Sequence, residues 1–361
     1  MAPSAAIVGT ACTTWLTCQD KRLEEMIFET AQAALQDAGI GRDDIDNVVL
    51  AASDELDGRS ISSMLTAMPA GALLKDEVKV TDSGLHGLIL GTLRILSGLY
   101  DIGMVVSWSK VSECRPSQVW RGALEPFFSR DVGAIDPLLS AAHAARYVAD
   151  YGIDVSLLDA VANRMRNRPG TPDFDAAPTY LAYPLKASHF APTVDGVAAV
   201  VIASSQAFAQ RRFAHQPMWI RGMGWDTDAY YLGQRGWDGW KSLRIASRLA
   251  LERAGISLSS VDVVGLEDIS SFELIMGVEA IGLADQGHGA EWILDSGYSI
   301  NSLANGFGGY PPFCAGLWRI SRITQAMRSS GAQHALVQGR TGQGAQGHAV
   351  VVLSQKSEGG M

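Results

Sequence analysis

The chain of 361 residues contains one structural pattern twice. Residues 24–52 and 241–267 each carry an amphipathic helix pattern that ends in Ala-Gly-Ile, followed by a polar turn and a short apolar run. Gly39 and Gly255 stand where a left-handed residue typically ends a helix. The apolar runs that follow are typical of buried strands. Each half of the chain therefore predicts the same helix–strand unit.

Three further pairs of segments extend the repeat in the same order. A strand pattern opens each half, a helix running into a strand follows later, and an apolar strand ending in Ser and Gln comes last. The pairs are 5–11 with 218–224, 86–110 with 314–340, and 194–206 with 345–355. Alternating strands and helices predict sheets covered by helices on both faces, and two such halves predict a five-layer αβαβα sandwich. Chance similarity between two ordinary α/β stretches is the alternative, and four matches in one order argue against it.

We divide the chain into an N-terminal half, residues 1–216, and a C-terminal half, residues 217–361. Residues 113–193 lie outside the repeat and carry helical patterns at 137–152 and 155–168. This segment is long for a connection, and long inserts tend to carry function.

Composition argues against several classes of function. The net charge is −9 and no long basic run occurs, so nucleic acid is not an expected partner. No run of 18 apolar residues predicts a membrane span. The cysteines Cys12, Cys18, Cys114 and Cys314 form no CxxC pair and no zinc-ligand pattern, which favours free thiols and no metal. The N-terminus shows no basic and apolar leader pattern, so we expect a soluble, cytoplasmic protein.

The duplicated halves and the helical insert resemble the thiolase superfamily, most closely the sterol-carrier-protein-type thiolases. VTDSGLHGL, residues 80–88, resembles the family's Cys-Ser-Ser-Gly-Leu-Gln stretch, and 183–204 its proline-led segment ending in Asp-Gly-Ala-Ala-Ala. Residues 263–283 resemble the strand and helix that carry His-Asp-Cys-Phe, and 301–320 resemble the Asn-Pro-Ser-Gly-Gly and Gly-His-Pro segments. The resemblance covers nearly the whole chain. It implies an acyl-CoA thioester as substrate and a homodimer formed through a sheet edge.

The family's catalytic positions carry other residues here. Thr81 stands at the position of the cysteine nucleophile, and a threonine hydroxyl needs an adjacent base to attack a thioester. Glu267, followed by Asp268, replaces the His of His-Asp-Cys-Phe, and Tyr310 replaces the His of Gly-His-Pro. The late acid/base cysteine has no counterpart in residues 338–347. We therefore do not expect ordinary cysteine-dependent acyl transfer.

Tyr310 and the acidic pair each have two interpretations. Tyr310 is either a loop tyrosine packing its ring on a turn, or a phenol acting as acid/base or polarising a carbonyl. The second interpretation resembles cysteine-less, thiolase-like retro-aldolases of steroid side-chain degradation, which use tyrosines and work with a small OB-fold, zinc-binding partner. Glu267 and Asp268 either cap the next helix, in competition with Ser270 and Ser271, or supply a carboxylate base of raised pKa.

Four residues near helix starts are further candidates. His86 lies about one turn after Thr81 and is either structural or a proton carrier. Asp82 and Ser83 are interpreted as helix caps, with a vestigial nucleophile and partner as the alternative. Cys314 is interpreted as a small buried residue, with a displaced nucleophile at a helix N-terminus as the alternative.

The resemblance also implies positions where backbone approaches the CoA thioester, at Ser83, Gly84, Gly309 and Gly344. No basic motif for the phosphates of CoA is evident. Residues 222–243 hold three of the nine tryptophans and two tyrosines, a cluster that fits an apolar acyl pocket, a protein interface or loop packing.

Two functional hypotheses follow. In the first, the chain cleaves or forms a carbon–carbon bond beside an acyl-CoA thioester by retro-aldol chemistry, within lipid or steroid metabolism. Tyr310 and Glu267 are its acid/base residues, His86 supports them, and no covalently bound cofactor takes part. In the second, the chain is a catalytically silent subunit that assembles with an active thiolase or ketoacyl synthase.

Overall fold

The computed structural model describes residues 4–15, 20–168, 171, 178–237, 240–297, 300–302 and 304–357. The strands in these ranges are β1 (Ala5–Trp15), β2 (Asn47–Ala51), β3 (Asp76–Val80), β4 (Ile102–Ser109), β5 (Tyr180–Ala182), β6 (Leu185–Lys186), β7 (Asp195–Ser204), β8 (Met218–Thr227), β9 (Val263–Gly265), β10 (His334–Thr341) and β11 (Gly347–Ser354).

The helices predicted from the sequence occur in the expected order, and further short helices lie between them. They are α1 (Leu23–Ala38), α2 (Ser63–Thr66), α3 (Gly84–Leu96), α4 (Pro116–Ala123), α5 (Asp136–Tyr151), α6 (Ser156–Arg166), α7 (Ser205–Gln210), α8 (Lys241–Ala254), α9 (Ser271–Ile281), α10 (Gly289–Asp295) and α11 (Ala315–Ser329). Gly39 and Gly255 adopt the left-handed conformation and end α1 and α8, as the repeat predicts.

The strand order shows the duplication directly. Within the described residues the large sheet runs β3-β2-β4-β7-β1-β8-β11-β10-β9. The first half contributes β2-β4-β7-β1, with β3 added at its outer edge, and the second half contributes β9-β10-β11-β8. Counted from the outside of the sheet inward, the two sets place corresponding strands in the same order. β1 and β8 pair only through Ala6–Ile7 and Met218–Trp219, so this short contact joins the sheets of the two halves.

Side-chain alternation produces the five layers. Val197 and Val201 of β7 share a core with α1, whereas Val200 on the same strand belongs to a core with α3 and α11. On β11, Val351 belongs to that same central core, and Val350 faces α8 and α9. Helices α3 and α11 contact both sheet halves, α1 covers one outer face and α8 the other. The predicted αβαβα architecture is confirmed.

The insert forms α4, α5, α6 and the β5–β6 hairpin. Helices α5 and α6 match the predicted patterns, and both contact α9 of the C-terminal half. Tyr147 of α5 donates a buried hydrogen bond to Glu279 of α9, and Ser140 Oγ donates to Glu273 Oε1 at 2.8 Å. The insert is therefore anchored beside the second half.

The strands β3, β5 and β6 and the short helices α2, α4, α7 and α10 were not predicted. The charged lead-in to Thr81 is the strand β3, which pairs in parallel with β2 and lies at the end of the sheet. Its exposed Asp76 and Glu77 lack apolar alternation, and charged residues are common on edge strands. The division after residue 216 stays a prediction, and Cys18 lies outside the described residues. In the described part of the chain no helix has the length and apolarity needed to cross a membrane.

Candidate active site

Tyr310 and Glu267 lie together in the second half. The Tyr310 hydroxyl donates to Glu267 Oε2 at 2.6 Å, and each residue is only 2% exposed. The backbone of Tyr310 is fixed by its amide donating to Pro192 O at 2.8 Å and its carbonyl accepting from Val194 N at 3.0 Å. Glu267 follows β9, and its amide donates to Gln338 Oε1 at 2.7 Å. The structure thus brings two predicted acid/base residues into direct contact, and Tyr310 is a core residue rather than a loop tyrosine on a turn.

Asp268 organises the loops around this pair. Its Oδ2 accepts from Asn301 Nδ2 and from Gly306 N, each at 2.8 Å, and its Oδ1 pairs with Arg319. Arg319 is fully buried, and its Nη1 lies 3.0 Å from Glu267 Oε2. One guanidinium therefore compensates two adjacent buried carboxylates.

Neither carboxylate caps the next helix. Ser270 is the cap of α9, because its side chain accepts from Glu273 N at 3.1 Å. Glu267 and Asp268 precede Ser270 and turn inward to Arg319, so the capping interpretation of the acidic pair is wrong.

Burial sets the protonation of the site. It raises the pKa of Tyr310 well above its ordinary value, and the neighbouring charge of Glu267 raises it further. Burial also raises the pKa of Asp268, while Arg319 and the Gly306 amide act in the opposite direction. Tyr310 is therefore a neutral phenol at physiological pH, and it donates its proton toward a carboxylate.

The β10–β11 hairpin contributes polar side chains that the sequence analysis missed. Arg340 stands opposite His348 in the antiparallel register. Arg340 Nη1 contacts both Glu273 oxygens at 2.8 Å, and its Nη2 pairs with Asp136 at the start of α5. These contacts tie the insert to the strands beside the site. The sequence feature that could have indicated this cluster is His348, which stands directly before the apolar residues 349–353.

His348 is buried as a neutral imidazole. Its Nδ1 lies 2.8 Å from Ser242 Oγ. Burial, then the charges of Arg340 and His86, lower its pKa to about 3. Among the described residues its Nε2 has no hydrogen-bond partner.

The start of α3 holds the remaining predicted side chains. Ser83 is the N-cap residue, and its Oγ lies 2.8 Å from His86 Nδ1. Thr81 and Asp82 are exposed, and the carbonyl of Asp82 accepts from Thr341 Oγ1 at 2.9 Å. Ser83 thus caps the helix as predicted. Asp82 does not serve as the cap, because its side chain points to solvent one residue too early. The start of α3 packs on the segment that follows Tyr310, because the Gly84 amide donates to Phe313 O at 3.0 Å.

The predicted glycine positions have backbone reasons of their own. A Cβ on Gly84 would lie 2.8 Å from Ser107 Oγ, so glycine lets α3 pack closely on β4. Gly309 has φ 137° and Gly344 has φ 58°, conformations that favour glycine. Contact of these residues or Ser83 with a CoA thioester stays a prediction.

Cys314 immediately precedes α11 and is fully buried. Burial raises the pKa of its thiol well above the ordinary value, the opposite of an activated nucleophile. The interpretation as a small buried residue is supported.

Part of the aromatic segment 222–243 lines a pocket between the insert and the second half. Trp237 and Trp240 form its wall with Leu139 and Phe272, and Glu273 reaches it from the Arg340 cluster. Tyr230 and Tyr231 remain about half exposed beside it, so the segment is shared between the pocket and the surface.

The chain is similar in sequence to thiolases. Residues 227–311 match the family model "Thiolase C-terminal domain-like". An acetyl-CoA acetyltransferase from Methanothermobacter thermautotrophicus is 24% identical over 310 residues, covering 79% of this chain and 78% of the relative.

Two solved structures share the fold over nearly the whole chain. The "Ltp2-ChsH2(DUF35) aldolase" superposes with TM-score 0.76 at 17% identity and 97% coverage of both chains. A "monomeric SCP2-thiolase like protein type 1" from Mycobacterium smegmatis superposes with TM-score 0.73 at 19% identity, covering 98% of this chain and 77% of that one. Together with the sequence matches, these findings support placing the chain in the thiolase superfamily.

Proposed function

We propose that the protein cleaves, or in reverse forms, a carbon–carbon bond of a β-hydroxyacyl-CoA thioester by retro-aldol chemistry. The observation that carries the proposal is the 2.6 Å hydrogen bond from Tyr310 to Glu267 at the family's catalytic loop positions. Retro-aldol cleavage needs a base for the β-hydroxyl and stabilisation of the enolate, and it needs no cysteine nucleophile.

The pair forms a proton relay. The substrate hydroxyl gives its proton to Tyr310 Oη while the phenol proton moves to Glu267 Oε2, and the Cα–Cβ bond breaks to give a carbonyl product and a thioester enolate. The proton then returns from Glu267 through Tyr310 to the α-carbon of the enolate, which gives the shortened acyl-CoA. The raised pKa of Tyr310 disfavours a free phenolate, and a concerted transfer avoids forming one. Arg319 remains paired with Asp268 after Glu267 is neutralised, so the buried charges stay compensated.

Access to the pair requires an opening movement. Tyr310 and Glu267 are each 2% exposed, and Glu273 on the pocket wall is held by Arg340, which also pairs with Asp136. We place the opening at these contacts because they join the insert to the β10–β11 hairpin. A partner of the DUF35 kind named for the aldolase neighbour is proposed to bind on this side.

The test compares two matched tyrosine variants. Tyr147 is another buried tyrosine that donates to a buried glutamate, Glu279, but it lies in the insert. Tyr310→Phe should reduce turnover of a β-hydroxyacyl-CoA by about 10²–10⁴-fold, the range for a lost general acid–base. Tyr147→Phe should leave turnover unchanged, and equal activity of both variants would refute the relay.

A second function is favoured by one observation. Thr81, Glu267 and Tyr310 replace the residues that perform thiolase chemistry, and the last two are closed from solvent. A silent subunit of an acyltransferase complex needs the fold alone. It would co-purify with a chain carrying an intact cysteine nucleophile, and Tyr310→Phe would leave the activity of that complex unchanged.

The homodimer is likewise proposed through the β3 edge. Next to this edge, Met64 is 84% and Leu74 is 95% exposed. Exposed apolar groups beside an unpaired strand edge are typical of subunit contacts. Light scattering should give twice the chain mass, and Met64→Glu with Leu74→Glu should give the monomer mass.

A further inference from the structure

We propose that a cleft at the junction of the two halves binds a small molecule through a phosphate group. The cleft has a volume of about 570 Å³. Small-molecule sites in proteins occupy about 300–1,000 Å³. The segment 208–218, which connects the halves, forms most of its wall, and Arg328 and Gln355 complete it.

The cleft carries one sign of charge. Arg211, Arg212, His215 and Arg328 line it, and none of the described residues that line it is an aspartate or a glutamate. The chain as a whole has a net charge of −9, so this cleft departs from the surrounding charge. A cleft lined by basic groups focuses its field and concentrates anions.

Nearby carboxylates leave these basic groups with unused donors. Arg211 Nη1 pairs with Asp44 Oδ1 at 2.7 Å. Asp37 serves two groups, since Arg328 Nη1 lies 2.8 Å from its Oδ2 and His215 Nε2 lies 3.1 Å from its Oδ1. Each guanidinium has five N–H donors, so these contacts use only part of the donors that line the cleft.

Arg212 supplies the uncompensated charge. Its side chain is exposed and has no hydrogen-bond or ion-pair partner among the described residues. Arg328 Nε is buried and likewise has no hydrogen-bond partner in the part of the chain that the structure describes. A phosphate monoester has three acceptor oxygens and a charge of about −1.5 to −2, whereas a carboxylate has two oxygens and one charge. Guanidinium groups on two sides of the cleft therefore favour a phosphate.

The wall of the cleft is already in place without a ligand. The rings of Phe208 and Phe213 stack with centroids 5.8 Å apart and planes 5° apart, and Phe208 also meets Trp219 edge to face at 6.3 Å. The Ala214 amide donates to Ala38 O at 3.0 Å, which ties the segment to the end of α1. A preformed wall lowers the ordering cost of binding.

The cleft is separate from the Tyr310–Glu267 pair. Strand β7 begins next to Val194, whose amide donates to Tyr310 O at 3.0 Å, and it ends at Ser204, four residues before the cleft segment. Its 10 residues, at about 3.3 Å each, place the two sites about 30 Å apart. Phosphate binding here goes beyond the proposed retro-aldol function and does not depend on it.

The test is isothermal titration calorimetry of the full-length protein with inorganic pyrophosphate, ADP and citrate. The ionic strength is held constant with NaCl at about 0.15 M, so that distant charges are screened. We expect pyrophosphate to bind at one site per chain with a Kd of about 1 mM or lower. Tighter binding of ADP would identify a nucleotide as the source of the phosphate, and equal binding a simpler phosphorylated compound; both results support the site.

Two variants of equal charge locate the binding. Arg212→Gln should weaken pyrophosphate binding at least about 10-fold, because it removes charge-assisted hydrogen bonds. Arg121→Gln changes the net charge equally, but Arg121 is an exposed residue of α4 outside the cleft, so its affinity should match the wild type. Hydrogen exchange followed by mass spectrometry should show that pyrophosphate slows exchange in peptides from 208–218 and leaves those from 116–123 unchanged.

Three results would overturn the inference. The first is a folded wild-type protein that shows no saturable binding of pyrophosphate. The second is an Arg212→Gln variant that binds pyrophosphate as tightly as the wild type or as Arg121→Gln. The third is tighter binding of citrate than of pyrophosphate, which would make the ligand a carboxylate.

Discussion

Replacing Arg319 by methionine perturbs the charge balance on which the candidate site rests. The substitution removes the only guanidinium that contacts both Glu267 and Asp268 in the described residues, and all three side chains are at most 2% exposed. Glu267 keeps the hydrogen bond from Tyr310, and Asp268 keeps those from Asn301 and Gly306. The carboxylates lose their counter-charge but retain part of their hydrogen bonding.

The expected loss of unfolding free energy is about 3–5 kcal/mol, the range for breaking a buried ion pair. The unfolding entropy near the midpoint is about 2.1 cal/mol/K per residue. For a chain of 361 residues the free energy of unfolding therefore changes by about 0.76 kcal/mol per degree near the Tm. A loss of about 4 kcal/mol therefore lowers the Tm by about 5 °C.

The pH dependence has a definite sign. The pKa of Asp268 is already raised in the folded protein, and losing the Arg319 charge raises it further. A carboxyl with a raised folded-state pKa favours the folded state below its unfolded value, near 3.9, and loses that contribution as pH rises. The Arg319→Met deficit should consequently be larger at pH 8 than at pH 5.

Differential scanning calorimetry at both pH values measures the effect. Arg248→Met is the matched control, because Arg248 and Glu252 form an exposed pair whose side chains are 60% and 57% accessible. Such pairs contribute about 0.3–0.5 kcal/mol, so the control Tm should change by less than about 1 °C. Equal Tm shifts for the two variants, or a deficit for Arg319→Met that does not depend on pH, would refute the reasoning.

Three further predictions concern buried groups. His348 should show no NMR titration between pH 5 and 8, because its pKa is lowered to about 3; its stabilising contribution is present above about pH 6.5 and lost as pH falls, and a midpoint near 6.5 would contradict this. Gly84→Ala should cost about 1–3 kcal/mol in urea unfolding, since the new Cβ lies 2.8 Å from Ser107 Oγ, and an unchanged midpoint would show that the helix can shift freely. Cys314 should resist iodoacetamide until the protein unfolds, and rapid alkylation of the native protein would disprove its burial.

The repeat in the sequence predicted most of the fold because it rests on backbone and burial patterns. Helix C-caps at Gly39 and Gly255 and the apolar strands after them are local signals, and four matched pairs of segments left little freedom in topology. The strand β3 was missed because an exposed edge strand with charged side chains has no apolar alternation to detect.

The candidate site was predictable only in part. Tyr310 and Glu267 were found by their positions in family motifs, but their hydrogen bond joins residues 43 positions apart, and nothing local indicates it. Arg319 shares α11 with the exposed Arg322, and Arg340 lies in a strand with other polar residues, so nothing local marks either arginine as buried. Their counter-charges come from distant segments, so their burial follows only from the tertiary structure.

The capping interpretation failed for a physical reason. Serine and aspartate are both good N-caps, and the sequence alone does not rank Asp268 against Ser270. The fold decides between them, because Asp268 faces the buried Arg319 and Ser270 faces the first turn of α9.

The most direct measurement of the central claim is product analysis by mass spectrometry. The protein, purified with any co-expressed partner, would be incubated with a panel of β-hydroxyacyl-CoAs in the absence of free CoA. Retro-aldol cleavage through Tyr310 and Glu267 predicts a shortened acyl-CoA and an aldehyde or ketone in equal amounts, lost in Tyr310→Phe and retained in Tyr147→Phe. Cleavage only after adding free CoA, or unchanged cleavage by Tyr310→Phe, would contradict the account.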